Sequence, residues 1–214
     1  MSLLPEWRRS DRVLVIGATQ SGKSVLARRM FEAMAPPRAV VDPKDDPDAT
    51  GGLYRDRRIA VTFSDPNRIP DADSIRFAPR DPHDADAYDA LYRGLFARRG
   101  IFVWTDEAGI VAPKSGGPAG FRRLVTQGAR WGIGHIALNQ RPVDLDRVLL
   151  ANSEHVIAFR VGDPDDVRRL ANIGPTPPKA LDEKIRRLPP YGFVWYGARD
   201  QRWRVIPTGV TPPP

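Results

Sequence analysis

Three short stretches collect residue types suited to phosphate chemistry. The first, GATQSGKS at residues 17–24, satisfies the spacing G-x-x-x-x-G-K-[ST]. Glycines at 17 and 22 let the backbone curl so that successive N–H groups face a phosphate, and the helix that follows turns its positive end to the same charge. Gly17, Ala18, Thr19, Gln20, Ser21, Gly22, Lys23, Ser24 and Val25 are therefore the expected nucleotide-binding residues. Lys23 would neutralise the β and γ phosphates and the Ser24 hydroxyl would ligate magnesium, making ATP and Mg2+ the expected cofactors. The bland alternative is a glycine-rich turn carrying an exposed lysine.

The second stretch, IFVWTDEAG, is an apolar strand that ends in two adjacent carboxylates, Asp106 and Glu107. Ligands of open α/β sheets bind at strand carboxyl ends, so Asp106 is expected in the magnesium shell and Glu107 beside an attacking water. A kinase of this kind must keep water out, whereas a hydrolase needs a group to orient it, so the adjacent glutamate favours hydrolysis. The third stretch, ALNQRP at residues 137–142, ends a strand in an amide. Gln140 could sense the γ-phosphate there and pass the change to the following loop, although Asn-Gln-Arg-Pro also suits an ordinary turn.

These groups need an alternating framework to hold them. The hydrophobic pattern predicts strands over Arg12–Ile16, Ala39–Val41, Ile59–Phe63, Ser74–Phe77, Ile101–Glu107, Gly134–Asn139 and His155–Arg160. It predicts helices over Lys23–Met34, Asp84–Arg99, Phe121–Arg130, Asp144–Ala151, Asp163–Asn172 and Lys179–Arg187. Phe193–Tyr196 and Arg202–Ile206, either side of GARDQ, read as a closing hairpin, and APKSGGPAG after the carboxylate pair reads as a loop. Such alternation specifies an α/β fold with a mostly parallel central sheet, helices on both faces and a C-terminal β-hairpin. One domain is expected over residues 1–214, with an N-terminal arm at 1–11 and a loose tail at 207–214.

Composition narrows the class. The chain has 214 residues, 41% hydrophobic and 28% charged, enough to bury a core. It has no cysteine, and its three histidines are scattered, so a metal would be held by oxygen. The apolar runs are too short to cross a bilayer and the N-terminus lacks the apolar stretch of a signal peptide, which predicts a cytoplasmic location. The net charge of +7 favours a polyanionic partner, though much of it is arginine that a solvated surface would also carry.

Taken together, GATQSGKS, VVDPKDD, FVWTDE and GARWGIGHIALNQRP, in this order, resemble the motifs of the FtsK/HerA superfamily of hexameric DNA-pumping ATPases. The motifs cover residues 12–160, and Asp-Pro-Lys and Gln-Arg-Pro discriminate best because all phosphate-loop enzymes share the rest. The resemblance implies a RecA-like P-loop NTPase fold and a ring of subunits around double-stranded DNA. It implies roles for Asp106, Glu107 and Gln140 as above, and makes Arg130 the candidate arginine finger toward a neighbouring subunit, with Arg122, Arg123 and Arg141 as rivals. In such a ring Lys114, Arg122 and Arg123, in and after the glycine-rich loop, are candidates to track DNA phosphates. A bare motor of this size is most similar to the genome-packaging ATPases of tailless, membrane-containing icosahedral viruses. That implies capsid or membrane vertex partners and a place in the host cytoplasm or the virion. A conjugation or segregation pump, a helicase-like motor and a nucleotide-dependent switch without DNA remain open.

Overall fold

A computed structural model describes residues 7–46 and 61–207 of the chain. The elements in order are β1 (Arg12–Ile16), α1 (Lys23–Glu32), β2 (Arg38–Val41), β3 (Val61–Phe63), β4 (Ser74–Phe77), α2 (Ala85–Arg98) and β5 (Phe102–Thr105). They continue with α3 (Ala108–Val111), α4 (Ala119–Gln127), β6 (Gly134–Asn139), α5 (Arg147–Asn152), β7 (His155–Ala158), α6 (Pro164–Ala171), α7 (Pro178–Arg186), β8 (Phe193–Gly197) and β9 (Arg202–Ile206). The strands form one sheet in the order β3-β4-β2-β5-β6-β1-β7-β8-β9. Pairing is parallel from β3 to β7 and antiparallel across β7-β8 and β8-β9.

β1 lies between β6 and β7, with Val13 opposite both Ile136 and His155. Strands buried on both faces read as continuous apolar runs, and here the alternate residues divide cleanly. Leu14, Ile16, Val103 and Ala137 join the core under α2 to α7. Val13, Val15, Phe102, Trp104, Ile136 and Leu138 join the core on the opposite face, where the packing helix is α1. The expected coverage of both faces is thus uneven among the described residues. α1 is held by Leu26, Ala27, Met30 and Phe31, whose spacing makes one helical stripe. The Phe31 ring meets Trp104 edge-on at 5.8 Å, and full burial of such a side chain contributes about 1.5–3 kcal/mol.

Element boundaries differ from expectation where glycine and proline govern. The helix expected from Phe121 begins at Ala119, and residues 128–131 close it as a 3-10 turn. Gly120 explains the early start: a Cβ there would lie 2.5 Å from the Asp89 carbonyl oxygen. Without one, the Gly120 N–H donates to Asp89 Oδ1 at 2.6 Å and seats α4 against α2. α3, a single turn after Glu107, had no periodic signal. Pro142–Asp144 forms a 3-10 turn, and α5 starts later than expected, behind the Asp146 cap, whose carboxylate accepts from the Val148 N–H at 2.9 Å. Residues 59–60 of one expected strand, 1–6 of the arm and 208–214 of the tail lie outside the described residues. Among those described, no helix is long and apolar enough to cross a membrane.

Candidate nucleotide and hydrolysis site

The loop after β1 folds as its glycines dictate. At Gly17 a Cβ would come within 2.7 Å of Phe159 Cβ and of Ser21 Oγ, so the close approach excludes any side chain. Gly22 has φ 104, in the left-handed region, and opens α1 with no side-chain cap and no acid in the first turn. The first-turn N–H groups of α1 therefore face outward with the positive end of the helix dipole. Ser21 Oγ is buried with no hydrogen-bond partner. Lys23 is buried, and its Nζ donates to the Ala18 carbonyl oxygen at 2.9 Å. Burial pushes its pKa down, against the pull of Glu107 and Asp106, which raise it, with Lys44 adding to the depression. An orphaned hydroxyl, an under-compensated ammonium and free helix N–H groups are the donor set that a polyphosphate satisfies. Ala18, Thr19 and Gln20 are exposed, Ser24 is half-buried, and Val25 packs against the α1 face core.

Asp106 is next to this loop at the end of β5, where its N–H donates to the Val41 carbonyl oxygen at 2.9 Å. Burial, then the charges of Asp42 and Glu107, push its carboxyl up to about 7, offset in part by Lys23 and Lys44. A carboxylate so destabilised is ready for a cation. Among the described residues no cluster of three or more His, Cys, Asp or Glu side chains suits a metal ion. Magnesium at Ser24 and Asp106 would thus take the rest of its shell from nucleotide oxygens and water, as its chemistry allows.

Glu107 adopts φ 44, ψ 58, the left-handed region where non-glycine residues are strained. Its Oε1 accepts from Gln140 Nε2 at 3.2 Å and pairs with Lys44 Nζ at 3.3 Å. Asp42, fully buried, pairs with Arg76 at 2.7 Å, and Arg76 also holds Asp45 at 2.7 Å. Asn139 stands between the two halves: its Oδ1 accepts from the Gly109 N–H at 2.9 Å and its Nδ2 donates to the Arg141 carbonyl oxygen at 2.7 Å. Lys23, Asp106, Glu107 and Gln140 thus lie in one neighbourhood. Lys44 and Asn139 had no role assigned from sequence. The signal for Lys44 was the Asp-Pro-Lys tripeptide, whose proximity to Glu107 follows only from the β2-β5 pairing.

The other candidates stand elsewhere. Arg130 is exposed in the 3-10 turn before β6, at the amino edge of the sheet, where the Trp131 carbonyl oxygen accepts from the Gly100 N–H at 2.8 Å. Arg141 pairs with Asp163 and Asp166. Lys114 is exposed in a loop tied down by the Pro113–Leu145 bridge and by the Gly117 N–H donating to Asp146 Oδ2 at 3.1 Å. Arg122 is 3.6 Å from Asp146, and the Arg123 guanidinium lies 4.4 Å from the centre of the Phe96 ring.

No protein-family model matches the chain. Among curated proteins, the DNA packaging ATPase P9 of Enterobacteria phage PRD1 is 30% identical over 169 residues, which span 73% of this chain and 66% of that protein. Among solved structures, the genome packaging NTPase B204 from Sulfolobus turreted icosahedral virus 2, in complex with AMPPCP, superposes with a TM-score of 0.74 at 18% identity. That match covers 93% of this chain and 98% of B204. The pCW3 conjugation coupling protein TcpA, with a TM-score of 0.57 and 18% identity, is matched over 91% of this chain and 59% of its own. At such identities the structural likeness establishes the fold.

Proposed function

We propose that the chain is a P-loop ATPase of the FtsK/HerA superfamily, an ATP-driven motor that packages double-stranded viral DNA into a preformed capsid; its similarity to a DNA packaging ATPase supports the reading. The observation that carries the reading is the placement of Glu107: adjacent to Asp106 and joined to both Gln140 and Lys44. A carboxylate held by an amide and an ammonium can accept a proton from water and can change partners when a phosphate arrives.

In this mechanism the loop N–H groups and Lys23 bind the β and γ phosphates, and Ser21 Oγ gains the partner it lacks. Ser24 and Asp106 would hold magnesium, which would supply charge neutralisation. Glu107 orients the attacking water and takes its proton, while Gln140 distinguishes the triphosphate from the diphosphate by exchanging its bond to Glu107. Arg130 lies on the sheet edge opposite its own phosphate loop, so its role as a finger requires a neighbouring copy, and hydrolysis then depends on assembly into a ring, taken to be a hexamer. Lys114, Arg122 and Arg123 contact DNA phosphates without reading bases. Work at a capsid or membrane vertex, in the host cytoplasm or on the virion, belongs to the same reading.

The test is magnesium-dependent ATP hydrolysis with and without long duplex DNA at low salt, for the parent and for Arg130→Ala. The parent should turn over ATP faster with DNA, and Arg130→Ala should lose turnover while keeping nucleotide affinity. Turnover unaffected by DNA, with no DNA binding, would favour a nucleotide switch, and normal turnover of Arg130→Ala would remove that residue from the finger role.

A further inference from the structure

β8 runs antiparallel to β7, so its first residue, Phe193, begins at the carboxyl edge of the sheet, beside the phosphate loop. The connection that enters β8 carries Tyr191, an aromatic side chain 40% exposed. Its backbone sits at φ 61, a left-handed conformation that a bulky residue adopts only where its surroundings enforce it. Two contacts fix this turn: the Gly192 N–H donates to the Pro189 carbonyl oxygen at 3.0 Å, and Arg160 donates to the Leu188 carbonyl oxygen at 2.5 Å.

The turn brings the Tyr191 ring to the mouth of the loop. A Cβ built on Gly22 would lie 3.5 Å from Tyr191 Cδ1 and 3.4 Å from Phe159 Cε1, so the two rings border Gly22 together. Phe159 is buried and completes the floor, whereas Tyr191 is open to solvent. Strained, exposed aromatic groups beside a binding loop are unusual as packing and expected of a recognition surface.

The direction of a bound nucleotide supplies the rest. Asp106 and Glu107 follow β5, and Gln140 follows β6, both on one side of β1 in the sheet. Tyr191 precedes β8, on the other side of β1, beyond β7. A triphosphate with its terminal phosphate near Glu107 leads its sugar and base away from β6, toward β7 and β8. We propose that Tyr191 is the platform on which the base of the nucleotide stacks, a binding residue outside the phosphate loop that favours the larger ring of a purine. This rests on the reading of residues 17–24 as a triphosphate-binding loop.

Calorimetric titration with ATP and, separately, with inorganic tripolyphosphate, both with magnesium, separates the base from the phosphates. Tyr191→Gly removes the ring while easing the left-handed backbone, and Tyr191→Phe keeps the ring. Tyr191→Gly should weaken ATP binding by roughly 5- to 100-fold and leave tripolyphosphate within about twofold of the parent, the range expected for one stacked base. Tyr191→Phe should match the parent for both. ATP affinity unchanged in Tyr191→Gly, or an equal loss for both ligands, would overturn the assignment. A parent that binds neither ligand would overturn the phosphate-loop reading itself, and the base platform with it.

Discussion

The two edges of the sheet use the same residue types to opposite ends. At the amino edge one set of polar groups is closely matched: Glu154 accepts from the Arg12 backbone N–H at 2.7 Å and from its Nε at 2.9 Å, while Arg12 Nη1 reaches the Val125 carbonyl oxygen at 2.6 Å. Asp11 Oδ2 accepts from the Arg8 N–H at 2.7 Å and meets His155 Nε2 at 3.0 Å, and the other ring nitrogen accepts from Trp195 Nε1 at 3.3 Å. At the carboxyl edge a hydroxyl lacks a partner, an ammonium and a carboxyl are shifted against their charged forms by burial, and Gln20 and Glu107 are left-handed. Matched groups stabilise a fold and need nothing more, whereas strained and unpartnered ones store a demand that a ligand meets.

Breaking that contrast should have its largest effect at Glu107. Glu107→Gln should retain ATP binding and slow hydrolysis by roughly 10²- to 10⁴-fold, as for loss of a general base; single-turnover measurement with saturating nucleotide reads the chemical step. If turnover survives, the carboxylate is not the group that handles the water. Asp106 should leave its mark on stability. In the unfolded chain an aspartate titrates near 4, and in the native protein this one is pushed up to about 7, so between those values the native state holds a proton that the unfolded state has lost. Stability of the nucleotide-free, metal-free protein should therefore decline as pH rises from about 4 to about 7, with the full cost present above 7. Asp106→Asn should lack this decline and gain about 2–4 kcal/mol over the parent by pH 8, read by urea unfolding across pH. A gain independent of pH would assign it to packing. The smallest effect belongs to the matched edge: Glu154→Ala should cost about 1–3 kcal/mol in the same unfolding assay. Its ATP affinity should be unchanged below the transition, and a loss there would mean that the two edges are not separable.

Much of the site was legible because its residues are near in sequence or end strands with strong apolar patterns. Residues 17–24 follow β1 directly, and Asp106, Glu107 and Gln140 each terminate a strand whose buried side chains announce it. What stayed hidden depends on the order of the strands. Lys44 meets Glu107 because β2 pairs with β5, and Tyr191 meets Gly22 because β8 turns back along β7; neither follows from spacing along the chain. The uneven clothing of the two faces was equally unreadable, since a strand buried on both sides shows the same apolar run whether one helix or six covers a face. The start of α4 was obscured because Gly120, a residue that usually signals a loop, is there for close packing against α2.

Gln140 is bracketed by two anchors. Asn139 is bolted to Gly109 and to the Arg141 carbonyl, and the Arg141 guanidinium is clamped by Asp163 and Asp166 at the start of α6. A residue fixed on either side works like a key on a rigid keyboard: it can swing about its own torsions while the frame around it stays still. In the proposed sensor role, what it learned of the phosphate would leave through the carboxylate it lets go, as a change of partner and not a travelling backbone.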